Sequence, residues 1–235
     1  MENQVQPELI LVINKPLTWT SFDVVNRLKY FIKNNFKQHK NIKIGHAGTL
    51  DPLATGILVV CIGKATKTIE TLQNTVKEYT GTIFLGATTP SYDLETQIDN
   101  TFDTGHITEQ MIHDAAKTFL GVQLQTPPIF SAKKINGKRA YESAREGEVV
   151  EMRKAQVEIF EMEITNATLP EIQFKVVCSK GTYIRSIAFD LGQRLHTGGH
   201  LTSLCRTRSG QFTLEKALTV DQAMEEIHAY LGKFK

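Results

Sequence analysis

Apolar and polar positions follow two different periods along the chain, and each period predicts a different kind of element. Apolar runs or alternating apolar positions predict strands at residues 9–14, 57–62, 79–85, 157–164 and 172–178. Apolar residues three or four positions apart predict helices that begin near Thr20 or Ser21, near Ala65, near Thr108 and after Gly181. Thr219 and Gln222 form a capping box before a last helix. Strands and helices follow in mixed order, which predicts an α+β fold.

Two polar segments interrupt this pattern. Residues 33–43 are basic and polar, and we predict a loop there. Pro127-Pro128 ends the preceding pattern, and residues 131–154 are polar, contain glycine and are rich in lysine and arginine, which predicts a long inserted arm. No internal repeat or low-complexity linker divides the 235 residues, and we expect a single domain over residues 1–235.

Composition narrows the class of protein. Hydrophobic residues make up 41% and charged residues 22%, which is average for soluble globular proteins. No run approaches the roughly 18 apolar residues that span a membrane, and the polar start does not resemble a signal peptide. The three cysteines are far apart and lack zinc-site spacing, as in reduced cytosolic proteins. We therefore expect a cytoplasmic protein without a membrane partner, and the net charge of +2 does not by itself indicate nucleic acid.

Residues 45–52, GHAGTLDP, carry two glycines, a histidine and a carboxylate within eight positions. Asp51 could simply cap a turn before Pro52. Alternatively, Gly45 and Gly48 let the backbone approach a ligand, and Asp51 serves as a nucleophile or an electrostatic stabiliser. Spacing alone leaves both interpretations open.

Motifs for other chemistries are missing. The sequence around Gly63 and Lys64 is not a phosphate-binding P-loop, because Ala65 stands where serine or threonine is required and Leu58 stands at the first glycine. The sequence contains no HExxH, CxxC or GxSxG motif. We expect no metal or other cofactor.

Three further features of the sequence also allow a structural or a functional interpretation. Tyr79 opens a strand and could be an ordinary cross-strand aromatic residue. Arg185 could be a surface or capping charge, or it could pair with a carboxylate and keep it ionised. The arm contains Lys133 and Lys134 among its basic residues, and it could be a solvated loop or a clamp on a phosphate backbone.

Taken in order, several stretches of the chain resemble the TruB family of tRNA pseudouridine synthases. The residues that carry the resemblance are Asn14-Lys15-Pro16, Thr20-Ser21, residues 45–58 (GHAGTLDPLATGIL), Lys77-Glu78-Tyr79, Gly86-Ala87-Thr88-Thr89 with Asp93, Pro127-Pro128, Ser131-Ala132-Lys133 and Gly181-Thr182-Tyr183-Ile184-Arg185. They lie within residues 9–220, nearly the whole chain, and the fourteen-residue stretch around Asp51 is highly specific.

This resemblance implies a pseudouridine synthase fold with a mixed, mainly antiparallel central sheet flanked by helices and loops. It implies conversion of uridine 55 in the T-loop of tRNA to pseudouridine, with Asp51 as the catalytic residue. The other implied roles are a stacking partner of the base (Tyr79), a partner of the catalytic carboxylate (Arg185), pocket walls (Tyr183 and Leu204), a side chain that enters the RNA loop (His46), and an RNA-clamping thumb at residues 127–154 that includes Lys133 and Lys134.

The implied chemistry suits an aspartate. The target uridine must leave its stack, at a cost of a few kcal/mol, before a side chain can reach its sugar. Asp51 could then stabilise positive charge at C1′, bond to C1′, or take a proton from C2′ to give a glycal. The sequence leaves all three routes open.

Longer members of the family carry an additional C-terminal RNA-binding module, and we expect that module to be absent here. We accordingly expect binding to the T-arm of tRNA, no need for a guide RNA or a protein partner, and a monomer. Two other functions stay open: a non-catalytic protein that binds or folds tRNA through the same groove, and a glycosidase-like hydrolase that would release uracil.

Overall fold

The computed structural model describes residues 7–131, 133–135, 137–146 and 152–234. Thirteen strands occur in these residues: β1 (Glu8–Lys15), β2 (Ile44–His46), β3 (Ala54–Gly63), β4 (Lys77–Leu85), β5 (Ala87–Thr88), β6 (Asn100–Thr101), β7 (Gly121–Gln125), β8 (Lys134–Ile135), β9 (Lys138–Arg139), β10 (Ala155–Asn166), β11 (Glu171–Cys178), β12 (Gly199–Ser209) and β13 (Phe212–Thr213). The described residues form six α-helices: α1 (Ser21–Asn35), α2 (Ile69–Gln73), α3 (Glu109–Lys117), α4 (Ala140–Arg145), α5 (Ile184–Arg194) and α6 (Val220–Leu231). The predicted α+β class is confirmed.

The chain divides into two compact units. Unit 1 comprises Met1–Glu78 and Cys205–Lys235, and unit 2 comprises Tyr79–Leu204. The chain therefore passes from one unit to the other within β4 and again within β12.

Unit 1 is built around β3, whose two faces are both covered. β1 runs antiparallel to β3 from Glu8 opposite Gly63 to Lys15 opposite Gly56, and β2 pairs with the last part of β3. The even-numbered side chains of β3 pack with α1 and α6 in one apolar cluster, and Ile57 and Val59 pack with Ala47 in another. Since no face of β3 meets water, its sequence is a continuous apolar run rather than an alternating one.

Helix α1 begins where its sequence predicts. The Thr20 hydroxyl accepts a hydrogen bond from the Asp23 amide, and the Asp23 carboxylate accepts one from the Thr20 amide, which completes a capping box. Val24, Leu28 and Ile32 then form its buried face. Thr219 and Gln222 form the equivalent box at the start of α6, as predicted.

In unit 2, β10 runs antiparallel to both of its neighbours, β11 and β7. Helix α3 packs against β10 and against α5. The guanidinium of Arg194 lies 3.5 Å from the centroid of the Phe119 ring, at the end of α5. This packing fixes the orientation of α5, whose first turn carries Arg185.

Two expectations about elements need correction. Residues 33–35 belong to α1 and residues 37–39 form a 3₁₀ helix, so only part of segment 33–43 is a loop. The helix expected from Ala65 is a 3₁₀ helix, Lys64–Thr68, followed by α2, because the hydroxyls of Thr66 and Thr68 donate to backbone carbonyls at positions 63 and 65 and compete with regular helix bonds.

The sequence pattern does not reveal β12. Its buried positions include His200 and Arg206, so its apolar residues do not alternate regularly with polar ones. No helix in the described part of the chain is both long enough and apolar enough to cross a membrane.

Candidate active site

Asp51 lies in the loop of residues 47–53 between β2 and β3, which we call the Asp51 loop. The hydroxyl of Ser21 binds both the amide and the carbonyl of Leu50, the neighbour of Asp51. Ser21 Oγ accepts a hydrogen bond from the Leu50 amide at 2.8 Å and donates one to the Leu50 carbonyl at 3.0 Å. Because Ser21 is 2% exposed and is the first residue of α1, the loop is attached to a rigid element immediately before Asp51.

The residue after Asp51 is held as well. The ammonium group of Lys15 donates to the carbonyls of Pro16 at 2.9 Å, Trp19 at 2.5 Å and Pro52 at 3.3 Å. The Thr18 amide also donates to the Pro52 carbonyl, at 2.9 Å. The backbone on each side of Asp51 is thus fixed by groups from the segment 15–21.

Lys15 is fully buried, and burial lowers its pKa to about 8. The negative charge of Asp51 acts in the opposite direction and favours the ammonium form. Asp51 itself is only partly buried.

His46 is the last residue of β2 and lies opposite Val60 of β3. Burial lowers the pKa of its imidazole, the positive charge of Arg206 lowers it further, and a backbone hydrogen bond with Gly48 partly offsets both. The imidazole is therefore neutral at pH 7. A neutral ring can exchange hydrogen bonds with a base or a ribose but adds no charge for a phosphate.

Unit 2 carries the other expected site residues. Tyr183 precedes α5, and its backbone is held by the Gln125 side chain, which accepts from its amide at 2.8 Å and donates to its carbonyl at 3.0 Å. Tyr79 is buried in β4, and Leu204 is partly buried in β12.

Arg185 is a buried cation, 4% exposed, and not a surface charge. Its Nη1 atom donates to the carbonyls of Ser91 at 3.1 Å and Phe130 at 2.8 Å. Its Nε atom lies 3.7 Å from a carboxylate oxygen of Asp93, which is also buried. Arg185 therefore lies beside the Asp93 carboxylate within unit 2, and the expected pairing of Arg185 with Asp51 stays a prediction.

Two comparisons with sequence families cover most of the chain. The sequence model described as TruB family pseudouridylate synthase (N terminal domain) matches residues 33–184, and the model described as tRNA pseudouridylate synthase B C-terminal domain matches residues 185–233. The chain belongs to the TruB family. The expected resemblance is confirmed.

Individual relatives agree with this family. The chain is 56% identical to tRNA pseudouridine synthase B of Flavobacterium johnsoniae, over 90% of this chain and 92% of that protein. It is 53% identical to tRNA pseudouridine synthase B of Phocaeicola vulgatus, over 92% of each chain. Nearly the full length of these TruB proteins is therefore represented.

Solved structures show the same fold. A chain of a Cbf5–Nop10–Gar1 complex superimposes with a TM-score of 0.70 at 28% identity. A chain of an H/ACA RNP bound to a substrate RNA containing 2′-deoxyuridine gives a TM-score of 0.68 at 24% identity. Each match covers 95% of this TruB chain, which spans only 55% of the matched chains. The expected pseudouridine synthase fold is confirmed.

The arm of this TruB chain is described in part. β8 and β9 form a two-stranded ribbon that leads into α4, and the ammonium of Lys133 donates to the Arg153 carbonyl at 3.1 Å. Lys134 lies in β8. Residues 132, 136 and 147–151 of the expected thumb lie outside the described residues. The thumb's role in clamping RNA stays a prediction.

Sequence reasoning missed the roles of the residues that support the site. Ser21, Lys15 and Asp93 stand in the matching stretches, but no local pattern reveals their contacts. Arg206 was not singled out at all, since its partners Gly48 and Ile57 are 158 and 149 positions away. Residues 202–209, TSLCRTRS, are mainly polar and contain two arginines, so no local signal singles out Arg206.

Proposed function

We propose that this protein converts uridine to pseudouridine in the T-loop of tRNA, at position 55, with Asp51 acting on the ribose of the flipped nucleotide. The observation that carries the proposal is the Asp51 loop. Its backbone is fixed at Leu50 and at Pro52, while Asp51 between them stays partly exposed. Catalytic groups need this combination of access and fixed position.

The reaction balances without another reactant. The N1–C1′ bond of the target uridine breaks, the uracil turns while it is held, and C5 bonds to C1′. The proton on C5 is lost and N1 gains one, so nothing is oxidised or reduced. A carboxylate can assist by stabilising positive charge at C1′, by bonding to C1′, or by accepting the C2′ proton.

The other site residues take the roles that the family implies. Tyr79 stacks on the flipped base, Arg185 pairs with the Asp51 carboxylate, and Tyr183 and Leu204 line the base pocket. His46 enters the space that the base leaves in the RNA loop. Its neutral imidazole suits hydrogen bonding with bases better than phosphate binding.

The charge distribution supports an RNA substrate. Residues 24–69 contain eight lysines and arginines and one acidic residue, Asp51, although the whole chain has a net charge of only +2. The lysines and the arginine of this segment are all exposed. A basic segment that surrounds a single carboxylate attracts a polyanion.

Lys133 and Lys134 extend this basic character to the thumb. We further propose that the protein acts as a monomer on the T-arm, without a guide RNA or a protein partner, and in the cytoplasm. The relatives named tRNA pseudouridine synthase B support a tRNA substrate.

Product analysis tests the proposed reaction. A T-arm hairpin is incubated with the protein, digested to nucleosides and separated by chromatography with mass detection. We expect pseudouridine at position 55 in place of uridine, at unchanged mass. Free uracil would identify a hydrolase, and unchanged RNA that remains bound would identify a non-catalytic binding protein.

A further inference from the structure

Arg206 of β12 is a buried charge that the proposed roles do not use. Arg206 is only 2% exposed to solvent. Nε donates to the Ile57 carbonyl at 2.7 Å, and Nη2 donates to the Gly48 carbonyl at 3.1 Å. Burying a guanidinium is costly unless hydrogen bonds compensate it, and both acceptors here are backbone groups rather than carboxylates. The buried guanidinium therefore holds two stretches of backbone together and does not neutralise a carboxylate.

The two carbonyls lie on either side of Asp51 in the sequence. Gly48 is three residues before it and Ile57 is six residues after it, at the start of β3. A planar guanidinium presents its donors in a fixed geometry, so Arg206 sets the distance between the beginning of the Asp51 loop and the strand that follows it.

The glycines of the motif make this arrangement possible. Gly48 has a φ of +101° and Gly56 a φ of +97°, both in the left-handed region that favours glycine. A Cβ atom on Gly56 would lie 2.3 Å from the Arg206 carbonyl oxygen. The absence of a side chain at position 56 lets β12 approach closely enough for the guanidinium to reach the loop.

The charge of Arg206 also affects the groups around the loop. After burial, it is the second cause of the lowered pKa of His46. It also contributes to the lowered pKa of Lys15. Both effects place the guanidinium within electrostatic reach of two polar side chains that flank Asp51.

We propose that Arg206 is a positioning residue for Asp51: its guanidinium bridges the Gly48 and Ile57 carbonyls and thereby sets the conformation of the Asp51 loop. The proposal rests on the proposed function, because it takes Asp51 as the group that acts on the nucleotide. Catalytic groups must be held within about 0.5 Å of their productive geometry. Ser21 and Lys15 hold the middle of the loop, and Arg206 holds its beginning.

The test compares Arg206→Lys and Arg206→Met with the control Arg208→Met. Arg208 lies two positions further along β12, is partly exposed and pairs with Glu78 at 3.5 Å. Single-turnover rates and Kd are measured on the same T-arm hairpin, and folding is monitored by thermal unfolding. NMR gives the pKa of His46 and the amide shifts of residues 47–53 without RNA.

A lysine at position 206 keeps the positive charge, but it lacks the two separated, coplanar nitrogens with which Arg206 contacts the Ile57 and Gly48 carbonyls. We expect Arg206→Lys to fold and to react about 100-fold more slowly, with Kd within about 3-fold of wild type. The His46 pKa should stay low in Arg206→Lys and rise in Arg206→Met, where the positive charge is lost. Arg208→Met should retain the wild-type rate within about 3-fold.

Arg206→Lys that is folded and reacts within about 3-fold of wild type would overturn the proposal. The rates are also compared at temperatures where Arg206→Lys is as fully folded as wild type. If the rate loss disappears there, Arg206 only stabilises the fold and the positioning proposal is overturned. If wild type itself makes no pseudouridine, the proposed function fails, and NMR alone decides about Arg206. Unchanged amide shifts at residues 47–53 in both variants would reject a positioning role.

Discussion

At the scale of residues, the backbone around Asp51 is fixed by polar side chains that are themselves buried. Ser21, Lys15 and Arg206 each donate to carbonyls of the chain that surrounds it. A buried polar group without a partner costs about 1–3 kcal/mol, so these side chains and the loop hold each other in place. Asp51, which we propose as the catalytic residue, is thus partly exposed on a backbone that is held at several points.

Lys15 gives a pH dependence of stability that can be measured. Its pKa is lowered from 10.5 to about 8 in the native protein, mainly by burial. Between pH 8 and 10.5 the unfolded chain therefore binds more protons than the native one, and this residue makes the free energy of unfolding rise with pH. Below pH 8 both states hold the proton and the contribution is constant.

The quantity to measure is the difference in unfolding free energy between wild type and Lys15→Met. The contributions of the other titrating groups are the same in both proteins and cancel in this difference. We expect this difference to rise from pH 8 to 10.5, by at most about 1.4 kcal/mol per pH unit. Denaturant unfolding at several pH values measures it. A difference that is flat or falls over this window would show that the pKa of Lys15 is not lowered in the native protein.

At the scale of elements, the pairing of β3 with its neighbours places the Asp51 loop. The apolar run at 57–62 predicts this strand, because a strand covered on both faces is apolar at every position. The capping residues Thr20 and Asp23 likewise predict the start of α1. These signals are local and can be read from neighbouring residues.

The partners of the loop could not be predicted in the same way. Arg206 meets Gly48 and Ile57 only after β12 has taken its place beside β3, and Arg185 meets Asp93 across more than ninety positions. A single sequence contains no local signal for such contacts. Asp51 was found by resemblance to a family, and the residues that support it were found by their geometry.

Gly56 tests the close approach of β3 and β12. Gly56→Ala introduces a Cβ at 2.3 Å from the Arg206 carbonyl oxygen, in a residue with a φ of +97°. The strained φ alone costs about 1–3 kcal/mol, and displacement of the strand adds to it. We expect Gly56→Ala to lower the unfolding free energy by more than about 3 kcal/mol, measured by denaturant unfolding.

Gly121→Ala is the matched control for this prediction. Gly121 has a similar φ of +86°, but a Cβ there would meet nothing within 4 Å. Its substitution therefore reports the cost of the backbone conformation alone. Equal losses in the two variants would mean that the approach of β12 to Gly56 is not tightly constrained.

At the scale of the whole molecule, positive charge is concentrated in parts of a nearly neutral chain. Residues 24–69 are strongly basic, and Lys133 and Lys134 belong to the arm that we expect to clamp RNA. The acidic residues lie mostly elsewhere, which lowers the net charge to +2 without neutralising these segments. Binding to a phosphate backbone should therefore depend on particular lysines and on salt.

For the thumb, we predict that Lys133→Glu combined with Lys134→Glu weakens binding of a T-arm hairpin and flattens the dependence of log K on log salt. Each phosphate contact that is lost reduces the slope by roughly 0.7–0.9. Fluorescence anisotropy across a salt series measures both effects. Lys117→Glu with Lys216→Glu makes the same charge change at two exposed lysines outside the thumb, and an equally large effect there would argue against a specific thumb contact.

The most direct test of the account is the substitution Asp51→Asn, which keeps the size of the side chain and removes its negative charge. Pseudouridine formation and Kd are measured on the same T-arm hairpin, beside wild type. We predict that pseudouridine formation falls below detection while Kd stays within about 3-fold, because an amide cannot act at C1′ or take the C2′ proton. Turnover near the wild-type rate in Asp51→Asn would contradict the central role of Asp51.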